Sequence, residues 1–226
     1  MNALERASNG DGNAWTISMW IKPSTSTATQ TLLVNGAGWT GNGVITLQQH
    51  GGNNIILNYG TNYNKIVIAA LNCLNVGSWN HLVVTFDGGT TGSNQADLSN
   101  YYSRFSVAVD GSVVSQVGSH LNYGYTGVID GSNPSDNIFR IGRASNVNNN
   151  YAETIINQVG IWDTDQTTNI STIYNSGATQ DLSLLSTPPT HYYEIEASVT
   201  TVSDISGNAD LTGYNFNTND LVTDTP

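Results

Sequence analysis

Apolar and polar residues alternate along most of the chain with a period of two. TISMWIK (16–22), GVITLQQ (43–49) and KIVIAA (65–70) are clear examples. This alternation places successive side chains on opposite faces of a pleated strand. It predicts strands over 16–22, 31–34, 43–49, 54–58, 65–70, 79–86, 104–109, 112–117, 138–141, 153–162, 191–196 and 209–214. Gly, Asn and Asp punctuate the runs, so the pattern predicts an all-β sandwich or jelly roll. One hairpin is well specified: Phe105, Val107 and Val109 alternate, Asp110-Gly111 turns the chain, and Val113-Val114 follow. Asp-Gly supplies the positive φ angles of a two-residue type I′ turn. A short helix is predicted over 166–175 from the spacing of Ile170, Ile173 and Tyr174, with Asp165 or Thr167 to start it and Gly177 to end it. Pro188-Pro189 then reads as a connector. Residues 87–103 and 118–137 read as unusually long loops.

Composition narrows the picture. At 226 residues the chain suits one large β-sandwich, and 38% hydrophobic residues are enough for a real core. Only 10% of residues are charged, so the surface is built from neutral Asn, Ser, Thr, Gly and Tyr. The net charge of −11 disfavours nucleic acid and anionic membrane surfaces as partners. The single cysteine, Cys73, excludes an internal disulfide. The polar start MNALERASNGDG offers no secretion leader, and no apolar run is long enough to span a bilayer as a helix. The expectation is a protein that reaches the outside of a cell, if it does, by another route or carried on a particle.

Five stretches carry a family likeness. AWTISMWIKP (14–23) resembles the early strand of laminin-G-like domains of the concanavalin A-type lectin/glucanase superfamily. GSWNHLVVTFDG (77–88), FSVAVDGSVV (105–114), FRIGRA (139–144) and IINQVGIWD (155–163) resemble its later strands in the same order. The likeness implies a two-sheet antiparallel jelly-roll sandwich over 1–185 with one short helix toward its C-terminal side. Residues 186–226 form an extension expected to pack a strand on the same sandwich. That extension holds Asp204-Ile205-Ser206-Gly207-Asn208, similar to a segment that accompanies such domains, and the arrangement, closing on Val222-Thr223-Asp224-Thr225-Pro226, resembles domains found in tailed-phage virion proteins. The link between Phe86 and Phe105 is longer than is usual in that group.

His81 shares a strand face with Trp79, Val83 and Thr85, while the opposite face is apolar, so it reads as a structural histidine; His50, His120 and His191 stand apart at no metal-ligand spacing. Glu194 and Glu196 share a strand face about 7 Å apart, within the range for glycoside hydrolysis. The superfamily's β-glucanases alternate three carboxylates, and here Ala197 and Ser198 follow instead. No nucleophile elbow, P-loop or dinucleotide fingerprint occurs, so no catalytic residue is assigned and the protein is expected not to be an enzyme. No cofactor is required. Calcium is the one ion that the resemblance brings into view, and Asp97, Asp130 and Asp136 are the loop carboxylates that could contribute.

The strongest functional signal is a set of aromatic residues beside Asn and Gly in loops or at strand ends: Trp39, Tyr59, Tyr63, Tyr101, Tyr102, Tyr123, Tyr125 and Tyr151. Such side chains give large contact area with a polar handle, and Asn both donates and accepts to sugar hydroxyls. They fit ligand binding, either to glycans or to neighbouring protein surfaces. The resemblance points to a non-enzymatic surface component of a tailed-phage virion, a capsid decoration or appendage protein in many copies or as a homo-oligomer. Its partners would be capsid or other virion proteins and host surface glycans. The alternative is a lectin-like adhesion module; a glycoside hydrolase stands third.

Overall fold

Two six-stranded antiparallel sheets face each other, as the period-two alternation demands. The computed structural model of the chain describes residues 11–25, 28–35, 44–60, 64–90, 102–122, 139–143, 152–195, 201–207, 209–213 and 226, with backbone alone at residues 11–12, 44, 64, 89–90 and 120–122. The strands are β1 (Asp11–Gly12), β2 (Trp15–Lys22), β3 (Gln30–Asn35), β4 (Val44–His50), β5 (Asn54–Gly60), β6 (Asn64–Ala70), β7 (Asn80–Phe86), β8 (Gly89–Thr90), β9 (Phe105–Val109), β10 (Ser112–Val113), β11 (Gln116–Asn122), β12 (Phe139–Ile141), β13 (Ile155–Trp162), β14 (His191–Tyr193), β15 (Thr201–Val202) and β16 (Leu211–Thr212). The first sheet runs β10-β9-β7-β2-β13-β14 and the second β11-β6-β5-β4-β3-β12. Two small pairs, β1-β8 and β15-β16, accompany them.

The core lies between the sheets. Ile17, Met19 and Ile21 of β2 and Leu82 and Val84 of β7 meet Leu47 of β4, Ile55 and Leu57 of β5 and Ile66 and Ile68 of β6. All are buried, and each fully buried aliphatic side chain contributes roughly 1.5–3 kcal/mol. One end of this core is aromatic. Trp15, Phe86 and Phe105 are directly opposed across β2, β7 and β9, and Tyr59 of the second sheet meets them. Phe86 and Phe105 stack with centroids 4.6 Å apart, and Tyr59 lies 5.5 Å from each.

Most predicted strands agree with those observed within a residue or two. The Asp110-Gly111 turn has the two positive φ angles that type I′ needs, 50° and 75°. Its Asp110 carboxylate also accepts from the His81 N–H at 2.8 Å, tying the turn to β7. The predicted helix is present as Ile170–Tyr174, flanked by 3-10 turns at Thr167–Asn169 and Asn175–Gly177. Asp165 starts this segment by accepting from the Thr167 N–H at 2.9 Å. The α-helix itself ends at Asn175 in the left-handed region, before Gly177.

Two expectations need correction. The predicted strand 112–117 is two strands, β10 on the first sheet and β11 on the second, so the chain crosses between sheets at residues 114–115. The predicted loop 118–137 begins inside β11, which pairs with β6 residue by residue from Gln116 opposite Ala70 to Asn122 opposite Asn64. GSHLN lacks apolar alternation, and the strand is held by its backbone ladder. Among the described residues, no helix is long and apolar enough to cross a membrane.

Candidate functional site

The first sheet has a covered outer face. Strand alternation sends Thr16, Ser18 and Trp20 of β2 and His81, Val83 and Thr85 of β7 away from the core. The helical segment closes over them. Ile170 packs on Val83 and Ala108, and Ile173 joins Trp162, Leu182 and Tyr192 in a second small cluster. Tyr174 lies over Trp20 and His81 at ring distances of 6.1 and 5.7 Å. Polar ties complete the cover: Thr85 and Thr167 share a hydroxyl bond of 2.8 Å, and the Trp162 indole N–H donates to the Thr187 carbonyl at 2.9 Å. A β-carbon on Gly111 would stand 2.5 Å from the Tyr174 ring, so this hairpin glycine also makes room for the cover.

His81 is therefore architecture. Its Nε2 lies 2.9 Å from Ser18 Oγ, and Nδ1 is buried with no partner. The Ser18 hydroxyl can accept from a protonated Nε2 or donate to a bare one, so this bond is kept in either neutral tautomer. Burial pushes its pKa down to about 4, so the ring is neutral at pH 7.

The second sheet differs. Its outer face carries Thr31 and Val34 of β3, Thr46 and Gln48 of β4, Ile56 and Asn58 of β5, Lys65, Val67 and Ala69 of β6, and Val117 and Ser119 of β11. It is buried over β3 and β4 and becomes exposed toward β11. Thr31 Oγ1 and Gln48 Nε2 are buried without partners. No Asp or Glu occurs in any of the six strands, although the chain carries 17 acidic residues.

Strand register fixes where the connections that carry most of the predicted aromatics leave and rejoin the sheets. Asn35 of β3 lies opposite Ile45, Val44 opposite Gly60, Gly60 opposite Lys65, Asn122 opposite Asn64, and Phe139 opposite Asn35. Hence the connections 36–43, 61–63 and 123–138 all leave from one end of the second sheet. The aromatic core end, with Tyr59 against Phe86 and Phe105, brings the link from β8 to β9 to the same end of the sandwich. Trp39, Tyr63, Tyr101, Tyr123 and Tyr125 belong to these four connections and lie outside the described residues. Tyr151, also outside them, belongs to the β12–β13 link, whose flanks sit at the other end, where Gln30 accepts from the backbone N–H groups of Glu153 and Thr154. Asp97, Asp130 and Asp136 are likewise outside the described residues. Among the described residues no group of three or more His, Cys, Asp or Glu could hold a metal ion.

Two of the predicted tyrosines, Tyr59 and Tyr102, are described. Tyr59 is a core residue with 2% of its surface exposed, a correction to its placement as a ligand contact. Its position in β5 sends it inward with Ile55 and Leu57. Tyr102 is half-buried against the edge of the core, its ring over Gly118, where any β-carbon would clash at 2.4 Å.

The C-terminal segment is anchored by a feature that the sequence likeness flagged without explaining. β14 pairs with β13 at the edge of the first sheet. Asp204 accepts from the N–H groups of Tyr192, Ser206 and Ala209 and bonds His191 Nδ1 at 2.7 Å. Burial would raise its pKa, but these bonds outweigh that and hold it below the usual carboxylate value. Glu194 is engaged too, accepting from the Tyr192 hydroxyl. Glu196 lies outside the described residues.

Comparison with known proteins accords with this architecture. A laminin-G-type family model described as Concanavalin A-like lectin/glucanases superfamily matches residues 3–169, and the chain belongs to that family. Among solved structures, it is similar to a candidate carbohydrate-binding protein from Bacteroides ovatus, with a TM-score of 0.58 and 16% identity, covering 92% of this chain and 54% of that one. The chain thus spans about half the length of that protein. It is also similar to a heptameric SAP-like pentraxin from Limulus polyphemus, with a TM-score of 0.50 and 14% identity, covering 89% and 84% of the two chains. No curated protein matches the chain.

Proposed function

We propose that the protein is a non-catalytic carbohydrate-binding module whose saccharide contacts lie on the loops at one end of the sandwich. The observation that supports this reading is the strand register, by which the strands flanking the connections that carry Trp39, Tyr63, Tyr101, Tyr123 and Tyr125 end on the same side of the sandwich. A rigid sandwich beneath adaptable aromatic and amide-rich loops is a recurrent way to hold a ligand. The family and the Bacteroides ovatus neighbour support the carbohydrate class. Asp97, Asp130 and Asp136 belong to connections leaving that same end, and calcium bridged by them would add oxygen-ligand chemistry there. The absence of catalysis is supported by the family and the Bacteroides ovatus neighbour, and by Ala197 and Ser198 standing where a third alternating carboxylate would follow Glu194 and Glu196.

A glycan array and titration calorimetry test the reading. The wild type should bind a subset of glycans, with heat released on titration, and Trp39→Ala, Tyr101→Ala and Tyr123→Ala should each weaken binding by about 1–3 kcal/mol without changing the fold. A blank array, or binding indifferent to all three changes, overturns it. Release of reducing sugar that is lost in Glu194→Gln would overturn the non-catalytic part.

The role as a tailed-phage surface component is a separate proposal, supported by the likeness of residues 191–226. Mass spectrometry and imaging of purified particles test it, and absence from every particle would sink it. Neither outcome touches the carbohydrate reading.

A further inference from the structure

The two sheets have four edges, and they are not alike. β10 has two residues, and β14 and β12 three each. Short edges offer little template for another strand. β11 has seven residues, Gln116–Asn122, and among the described residues it pairs only with β6. Its ladder runs without a bulge, and its sequence QVGSHLN contains no Lys, Arg, Asp, Glu or Pro. The strand itself therefore carries no charge from Lys, Arg, Asp or Glu, no proline and no bulge, the devices that commonly blunt an open edge. Val117 is 60% exposed, and Gly118 and Ser119 are exposed beside it.

We propose that β11 is a self-association edge, pairing antiparallel with β11 of a second copy about a twofold axis to join two second sheets into one continuous sheet. Two arguments select a second copy over a foreign chain. A strand edge paired antiparallel with itself matches its own outward donors and acceptors, which is the isologous geometry of a twofold dimer. Charge selects as well. Two chains of net charge −11 repel, and they approach best through surface free of carboxylates. All six strands of the second sheet meet that condition, while β11, with no Lys, Arg, Asp or Glu, offers little to select an oppositely charged peptide. The apolar row Ile56, Ala69 and Val117 runs across to this edge and would continue into the partner's sheet.

Sedimentation velocity over a concentration series tests the proposal, with Val117→Lys and Ser119→Lys as variants. Both side chains point to solvent, so either lysine installs the protection that natural edges carry without entering the core. The expected result is a reversible wild-type dimer whose dissociation constant rises at least about tenfold in each variant, with circular dichroism unchanged and the thermal midpoint unchanged at concentrations where wild type and variant are both monomeric. Hydrogen exchange on the wild type gives an independent readout: amides of residues 117–122 should gain protection as concentration rises. A wild type monomeric throughout, a dimer that survives both lysines, or exchange in β11 indifferent to concentration would each overturn it. An extended peptide protecting β11 in a chain that stays monomeric would also overturn it and show a foreign strand to be the occupant.

Discussion

The outer faces of the two sheets are built from the same alternation and meet different fates. On the first sheet, Ser18, Trp20, His81 and Val83 point away from the core and are buried a second time, beneath the helix Ile170–Tyr174 and its neighbouring turns. On the second, the face opens progressively from β4 to the exposed residues of β11. The difference separates two meanings of an unusual residue. A histidine and tryptophans outside the core are cover where a helix lies over them. On the other sheet the outward residues of β11 are exposed, with no such cover over them among the described residues.

The largest test of the comparison removes part of the cover. Trp162 is 1% exposed, packs on Ile173, Leu182 and Tyr192, and donates to the Thr187 carbonyl. Trp162→Ala should cost about 3–5 kcal/mol in urea unfolding, as truncation inside a true core does. A loss below about 1 kcal/mol would mean that the cover is loosely applied.

A pH titration of stability comes next. The His81 imidazole has its pKa pushed down to about 4 by burial, against 6.5 for an exposed one. Between those values the unfolded chain takes up a proton that the folded chain refuses. Stability should therefore fall as pH drops from 6.5 to 4, by about 3 kcal/mol in all. His81→Leu should flatten this slope. Asp204 acts in a lower window: its carboxyl is held below 3.8 when folded, so its contribution is intact above that value and is lost as pH falls through the folded pKa. An unchanged slope in His81→Leu would show that the ring is not shielded as the cover requires.

Alternation made the sandwich legible because each strand with one buried face must repeat with a period of two. TISMWIK and NHLVVTF show it in their letters. The β11 strand was missed because it carries no such pattern: Gly118 accommodates Tyr102, and the strand is held by main-chain bonds to β6, which leave no mark on side-chain type. Tyr59 was misplaced for a related reason. It lies next to a Gly at a strand end, like the loop tyrosines, and only the register with Ile45 turns it inward to Phe86 and Phe105. The clustering of loops at one end was invisible for the opposite reason, since it depends on which strands are neighbours. The Asp204 anchor was visible as a motif, but its four partners come from residues 191 to 209 and emerge only when the segment folds.

The smallest test is a matched pair of substitutions, identical in chemistry and placed on the two faces. Val83 is fully buried between its sheet and Ile170, whereas Val67 is half-buried in a row between Asn58 and Ser119. Threonine has nearly the shape of valine and the same preference for strands, so neither change should disturb the ladder. What differs is the fate of the new hydroxyl. Under the helix it must stay buried against the apolar Ala108 and Ile170, and Val83→Thr should cost about 1–2 kcal/mol. On the second face it can reach water, and Val67→Thr should stay within about 0.5 kcal/mol of wild type. Chemical denaturation of both variants resolves the gap. Equal losses would mean that the second face is as closed as the first, and the contrast between the two sheets would have to be drawn at their edges and loops alone.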